Sequence, residues 1–216
     1  MSAIRYGRRH LLGGLGCAAL ALSVPGAWAG LLLTPRQTAG PFYPDQLPLD
    51  RDNDLVQVDG QSALALGTLV QLRGRILDAR GEPLNHALVE IWQVDANGIY
   101  LHSRSGDRQR RDASFQGYGR FETASSGEYR FRTLRPVAYA ARTPHIHLAV
   151  TLPGQPRFTT QCYIRGEPRN ADDFVLNSVV DARARELLLV DFLPGVDGGE
   201  QLARFDIVLG LTPSDA

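Results

Sequence analysis

Val70-Gln71-Leu72-Arg73-Gly74-Arg75-Ile76-Leu77-Asp78 runs through a turn to Pro83, and Ala87-Leu88-Val89-Glu90-Ile91-Trp92 follows. The stretch reads as a strand, a turn and a second strand. Strand candidates lie at Leu69–Leu77, Ala87–Gln93, Glu128–Leu134, His145–Leu152, Arg157–Ile164 and Arg204–Leu211. Turn signals such as Asp78-Ala79-Arg80-Gly81, Asp95-Ala96-Asn97-Gly98 and Ser125-Ser126-Gly127 bound them. The only plausible helix is short, at Asp181–Leu189, and no internal repeat, coiled coil or low-complexity tract is present. Many short strands with turns between them predict an all-β chain, a β-sandwich with long loops and an extended N-terminal arm. The 216 residues suit one domain of ordinary size. The formal net charge of zero gives no reason to expect nucleic acid or an acidic membrane as partner. Every Lys/Arg position is arginine, which reads first as base-composition bias.

Residues 1–29 read as an export signal and not as part of the fold. Arg5-Tyr6-Gly7-Arg8-Arg9 is basic, a short apolar run follows, and Ala27-Trp28-Ala29 supplies a small-x-small end. Paired arginines followed by Leu11-Leu12 look like a twin-arginine signal, so a periplasmic protein cleaved after Ala29 is expected. The apolar run is too short for a membrane anchor, and the mature form is expected to be free of the membrane. A lipoprotein at Cys17 is disfavoured because Gly14 stands where leucine is usual. Residues 30–65 are expected to form the arm, rich in proline at 35, 41, 44 and 48, and residues 66–216 the β-sandwich. Loss of Cys17 with the signal leaves Cys162 alone, on a strand, as a buried and inert thiol.

Chemistry enters at Arg142-Thr143-Pro144-His145-Ile146-His147-Leu148-Ala149-Val150. Strand side chains alternate, so His145 and His147 share one face while Ile146, Leu148 and Val150 share the other and read as core. Two imidazoles side by side are half of a metal site, although a bare HxH serves equally well as a surface pair. Tyr100 closes the run Trp92–Tyr100, and Tyr139 lies in Leu134-Arg135-Pro136-Val137-Ala138-Tyr139.

With these two tyrosines the chain resembles the intradiol ring-cleavage dioxygenases, most closely their protocatechuate-cleaving branch. The matching pieces run in order from Thr34–Tyr43 through Trp92–Tyr100, Phe115–Arg120, Gly127–Phe131, Tyr139–His147 and Arg204–Leu209. The resemblance implies a mononuclear non-heme Fe(III) site with Tyr100, Tyr139, His145 and His147 as ligands, Tyr139 and His147 axial and the other two equatorial. Phenolate is a hard anionic donor that favours Fe(III), and imidazole is a common iron ligand. The implied substrates are a small aromatic diol of the catechol type and O2. Both oxygen atoms enter, and the ring opens between the two hydroxylated carbons. Tyr139 is implied to leave the metal and take a proton. Arg142 is implied as an electrostatic stabiliser beside the ring, against the alternative of a surface salt bridge. Gln161 matches a residue near the substrate and oxygen pocket, and strand pairing is expected to bring it near the HxH face. Tyr43 on the arm is a candidate pocket residue, and Glu122 and Thr123 need only a structural role.

His86 and His102 are not expected to be ligands, and Arg104–Asp112 reads as a solvated loop near the site mouth. The stretch from Tyr139 to His145 is shorter than the family's. The chain bears all four implied ligands itself, and its arm leaves a homo-oligomer open. The competing class is an exported, non-catalytic β-sandwich ligand-binding module, which leaves the two tyrosines and two histidines unexplained. A zinc hydrolase is weaker still, since tyrosine is a rare zinc ligand and no HExxH motif is present.

Overall fold

The computed structural model describes residues 30–210. The export-signal reading, with Cys17 and the paired arginines, and Leu211 at the end of the last expected strand lie outside the described residues. Ten strands form: β1 (Leu69–Leu77), β2 (Leu88–Trp92), β3 (Tyr118–Glu122), β4 (Glu128–Leu134), β5 (His145–Thr151), β6 (Phe158–Ile164), β7 (Leu189–Val190), β8 (Phe192–Leu193), β9 (Gln201–Arg204) and β10 (Ile207–Val208). Among the described residues the single α-helix is one short turn, α1 (Ala182–Glu186).

The strands make two five-stranded sheets. In one, β1 is central: β4 pairs with it antiparallel, β9 and β10 run parallel to its two halves, and β8 borders β9. The other has the order β3-β2-β5-β6-β7. Alternation along β1 turns Val70, Leu72 and Ile76 inward, where they join Val89, Ile91, Ile146, Leu148, Val150 and Cys162 of the second sheet in one core. The expected sandwich is therefore present, with Cys162 wholly buried in it. β5 is buried on both faces, because its far side is covered by the arm and loops that form the site.

Two expected elements differ. Arg204–Leu211 is not one strand: Arg204 ends β9, Phe205-Asp206 interrupts the ladder, and Ile207–Val208 forms β10. The Asp206 carboxylate accepts the Arg75 backbone N–H at 2.9 Å in place of a ladder bond. The expected helix to Leu189 stops at Glu186, and Leu189 belongs to β7, parallel to β6. β3 was not expected, since Gly117 and Gly119 give its sequence the look of a loop. Gly119 is instead a point of close approach: a Cβ there would lie 2.6 Å from the Asp52 carbonyl.

Gly74 makes the break between β9 and β10 possible. A Cβ on it would sit 1.9 Å from the Phe205 carbonyl oxygen, which also accepts the Tyr129 hydroxyl proton. Gly74→Ala is therefore expected to cost about 3 kcal/mol or more, readable as a fall in urea midpoint at unchanged slope.

Residues 30–65 hold no regular strand or helix and lie along the body as an arm. Thr34 N–H donates to the Val208 carbonyl at 3.0 Å and Gln37 N–H to the Thr159 carbonyl at 2.9 Å. Thr160 Oγ1 donates to the Pro35 carbonyl at 2.8 Å. The arm thus crosses the end of β6 and delivers Gly40 and Phe42 to the outer face of β5.

Candidate metal centre

His145 and His147 project from the outer face of β5, as strand alternation requires, and both are about 1% exposed. Their Nε2 atoms lie 3.2 Å apart. Tyr100 Oη is 3.3 Å from the first and 3.1 Å from the second. Tyr139 enters from the loop before β5. Its ring stands edge-on to Tyr100, centroids 5.0 Å apart, and 5.7 Å from the His145 ring. Its hydroxyl hydrogen-bonds that of Tyr100. The four side chains expected as ligands thus gather in one cluster.

Each donor is fixed by the local chain. Asp95 opens the turn before Tyr100: its carboxylate accepts the N–H groups of Asn97 and Ile99 at 2.9 and 3.0 Å. Ser105 Oγ then accepts the Tyr100 N–H at 2.8 Å. His145 Nδ1 donates to the Thr143 carbonyl at 2.7 Å, which puts its proton there and leaves the Nε2 lone pair facing inward. His147 is oriented differently. Its ring lies flat on Trp92, opposite it on β2, with centroids 4.9 Å apart and planes within 5°. Its Nδ1 is buried without a partner. Tyr139 sits at the head of a tight turn in which Arg142 N–H donates to its carbonyl at 2.9 Å. Ala140 in that turn takes a φ of 46°, left-handed for a non-glycine residue. This tight turn is how the short stretch between Tyr139 and His145 closes.

The electrostatics suit a cation. Burial pushes His145 down to about 4 and His147 well below the ordinary imidazole range, so both are neutral. Burial, with the neighbouring Tyr139, holds Tyr100 well above the ordinary phenol range. A phenolate therefore forms there only when a metal displaces the proton. The Tyr100 hydroxyl has one proton to offer two imidazole Nε2 atoms at 3.1 and 3.3 Å, which themselves lie 3.2 Å apart. Such spacings are ordinary for donors sharing one ion held at about 2 Å. Among the described residues no group of three or more His, Cys, Asp or Glu is placed to hold an ion, so this donor set depends on its tyrosines.

Arg142 is not at the surface. It is buried, with Nε 2.8 Å from Asp173 Oδ2 and Nη2 2.7 Å from Gln161 Oε1. Burial works against its charge, but Asp173 holds it above the ordinary guanidinium range. Gln161 faces His147 across the β5–β6 ladder and is fully buried, as strand pairing predicted. Its amide donates to the Thr38 carbonyl of the arm at 2.9 Å.

Tyr43 does not reach the donors. It lies one layer behind, edge-on to Trp92 with centroids 5.0 Å apart, and donates to Glu90 Oε1 at 2.7 Å. Phe42 takes the nearer place, stacked 5.2 Å from Tyr100 and edge-on 6.2 Å from Tyr139. His86 meets Glu122 on the surface, and Thr123 Oγ1 receives the Ala87 N–H and donates to the Leu84 carbonyl. His102 is buried against Phe42, with Nδ1 accepting the Arg104 N–H. Arg104 and residues 106–110 are exposed, while Ser105 turns inward to Tyr100.

Sequence reasoning missed Asp173, Tyr163 and Trp92. Tyr163 pairs with His145 in the ladder and so shares the donor face, a placement that two-residue alternation from Gln161 would have given. Asp173 lies in an irregular loop with no periodicity to mark it. A surface cleft of about 880 Å³ is lined in part by Arg73, Arg75, Arg130, Glu128 and Arg204 and by none of the four donors. Its chemistry is arginine–carboxylate pairing, so the donor cluster marks the site better than cleft size.

In this β-sandwich two histidines on the outer face of one sheet meet two tyrosines from flanking loops. A family model described as Dioxygenase matches residues 38–210. The chain is 36% identical over 170 residues to the protocatechuate 3,4-dioxygenase beta chain of Burkholderia cepacia, covering 73% of this chain and 71% of that one. It is 30% identical over 187 residues to catechol 1,2-dioxygenase of Acinetobacter baylyi, covering 76% of this chain and 55% of that one. Among solved structures, the dioxygenase domain of a dioxygenase carbohydrate-binding protein fusion from Streptomyces sp. SirexAA-E superposes with a TM-score of 0.65. It is 29% identical and covers 83% of this chain and 99% of that one. The chain belongs to the intradiol ring-cleavage dioxygenase family, a family of oxidoreductases.

Proposed function

We propose that this chain is a non-heme Fe(III) intradiol dioxygenase acting on a catechol-type diol. The observation that carries the reading is the clustering of buried Tyr100, His145 and His147 with the half-buried Tyr139, beside the Arg142–Gln161 pair. The net reaction adds O2 to the diol, breaks the carbon–carbon bond between the hydroxylated carbons and leaves two carboxyl groups. Ferric iron held by these four side chains would draw electron density from a bound catecholate and let the ring meet O2.

The chain's own residues do the rest. His145 and His147 present neutral Nε2 atoms, and Tyr100 presents a phenol whose proton metal binding removes. The half-buried Tyr139, at the mouth beside Phe42, is the group to accept a substrate hydroxyl proton at Oη. Arg142 keeps a fixed positive charge beside the ring, where negative charge develops during bond breaking. Phe42 and Trp92 wall the donors from water. Export of the protein by a signal at residues 1–29 is part of this proposal, supported by Arg8-Arg9 and the Ala27-Trp28-Ala29 end.

O2 uptake and product mass on iron-loaded protein test the function with catechol, protocatechuate and hydroxyquinol in turn. A diacid that gains both atoms of labelled O2 is expected from at least one of them. Tyr139→Phe is expected to fold and to lose about 100-fold or more in turnover. No O2 uptake by either protein, with diol binding retained in both, would assign a binding module instead.

A further inference from the structure

Asp173 is a fully buried carboxylate in the loop that follows β6. Its Oδ1 accepts the N–H groups of Val175 and Leu176 at 3.1 and 2.9 Å, which closes the turn of its own loop. Its Oδ2 accepts Arg142 Nε at 2.8 Å and the Thr143 N–H at 2.9 Å. Thr143 is held again by its hydroxyl, which donates to Asn170 Oδ1 at 2.8 Å. The Thr143 carbonyl is the acceptor that sets the His145 tautomer. One oxygen therefore fastens both a cation seated beside the donors and the backbone N–H of Thr143, the residue whose carbonyl orients His145.

We propose that Asp173 is a positioning residue for ring cleavage: its Oδ1 shapes the loop, while its Oδ2 holds Arg142 toward Gln161. The kinetic part of this proposal rests on the dioxygenase reading above. Without Oδ2 as acceptor, the Arg142 guanidinium keeps Gln161 Oε1 at 2.7 Å and two long contacts of 3.4 Å, to the Tyr163 hydroxyl and to Asp173 Oδ1. A planar five-donor fork loses its direction when one of its two anchors goes. Gln161 alone does not restore it, because its other end is committed to the arm at Thr38.

Asp173→Asn separates the two roles. The amide keeps one oxygen for the N–H groups of Val175 and Leu176, and its NH2 then abuts Arg142 Nε and Thr143 N, donor against donor. In iron-loaded protein, kcat is expected to fall about 100-fold, as for loss of one aligned electrostatic donor. KM and iron content are expected to stay within about threefold of wild type. In an Arg142→Gln background, the same change is expected to cost less than about threefold more, since its effect passes through Arg142. A full multiplicative loss in that background would overturn the proposal.

A second readout needs no turnover. In metal-free protein, the Arg142 Nε–H should give a protected NMR signal, assigned by its loss in Arg142→Gln, and Asp173→Asn should release it to solvent exchange. A protected signal retained in Asp173→Asn would overturn the proposal even if the wild type cleaved no diol. Inactivity of the wild type would sink the dioxygenase reading alone. If Asp173→Asn folds poorly, Arg142→Lys decides. It keeps the charge but loses the fork, so it should fall to within about threefold of Arg142→Gln. Near-wild-type kcat in Arg142→Lys would show that anchoring by Asp173 is dispensable.

Discussion

His147→Ala is expected to empty the centre. The change removes the Nε2 atom that lies 3.2 Å from His145 Nε2 and 3.1 Å from Tyr100 Oη. Iron content after dialysis should fall to background. Turnover should fall about 1,000-fold or more, because a metal acting as Lewis acid supplies several kcal/mol of transition-state stabilisation. The fold should survive at a cost of about 2–4 kcal/mol, for the ring is buried flat against Trp92 and its removal leaves a cavity.

Acid stability carries a second signature of this residue in metal-free protein. Burial depresses both histidines, His147 well below 6.5 and His145 to about 4. The unfolded chain then binds more protons than the native one below about pH 6.5, so native stability falls as pH drops through that window. Wild type should lose stability more steeply than His147→Ala between about pH 6.5 and 4, which urea midpoints at a series of pH values would read. Equal slopes would mean that His147 is not the neutral buried base described above.

Arg142→Met is the second large effect. Breaking a buried ion pair from one side costs about 3–5 kcal/mol, because the remaining charge is stranded. Asp173 would keep three backbone N–H partners, at Thr143, Val175 and Leu176, which argues for the lower end of that range. Turnover should fall about 100-fold for the lost charge beside the ring. The two effects separate by pH. Burial raises the Asp173 carboxyl, but Arg142 and the backbone N–H groups outweigh it and hold the carboxyl below its ordinary value near 3.8. The stabilisation this gives wild type is present above about pH 4 and is lost as pH falls through the lowered native value. The variant's carboxyl titrates higher, so protonation relieves its penalty and the gap between the two proteins should narrow below about pH 4. A gap that stays constant to pH 3 would show that the Asp173 charge is not what Arg142 compensates.

The sequence made the regular parts readable for a physical reason. A two-residue period with one apolar face is a strand facing a core, and β1, β4 and β5 follow it closely. The same period placed His145 and His147 together and set Gln161 within reach of them. Elements whose form depends on distant partners were not readable. β3 contains a glycine that exists because Leu55 and Asp52 press on it, and the break at Phe205-Asp206 depends on Gly74, far away in sequence. The four donors were legible as a family pattern, since no short-range rule joins Tyr100 to His147. Asp173 was illegible, because its worth comes from two neighbours 30 and 31 residues away. Tyr43 shows the reverse: an aromatic on the arm looked like pocket lining, but Glu90 draws its hydroxyl away and leaves Phe42 in front.

The visible absorption spectrum of the purified protein, loaded with ferric iron and then titrated anaerobically with catechol or protocatechuate, tests the central claim most directly. Two tyrosinates on Fe(III) predict a coloured protein with a broad phenolate-to-iron band that shifts to longer wavelength with at least one diol. A protein that takes up no iron, or binds it and remains colourless, would contradict a centre built from Tyr100, Tyr139, His145 and His147.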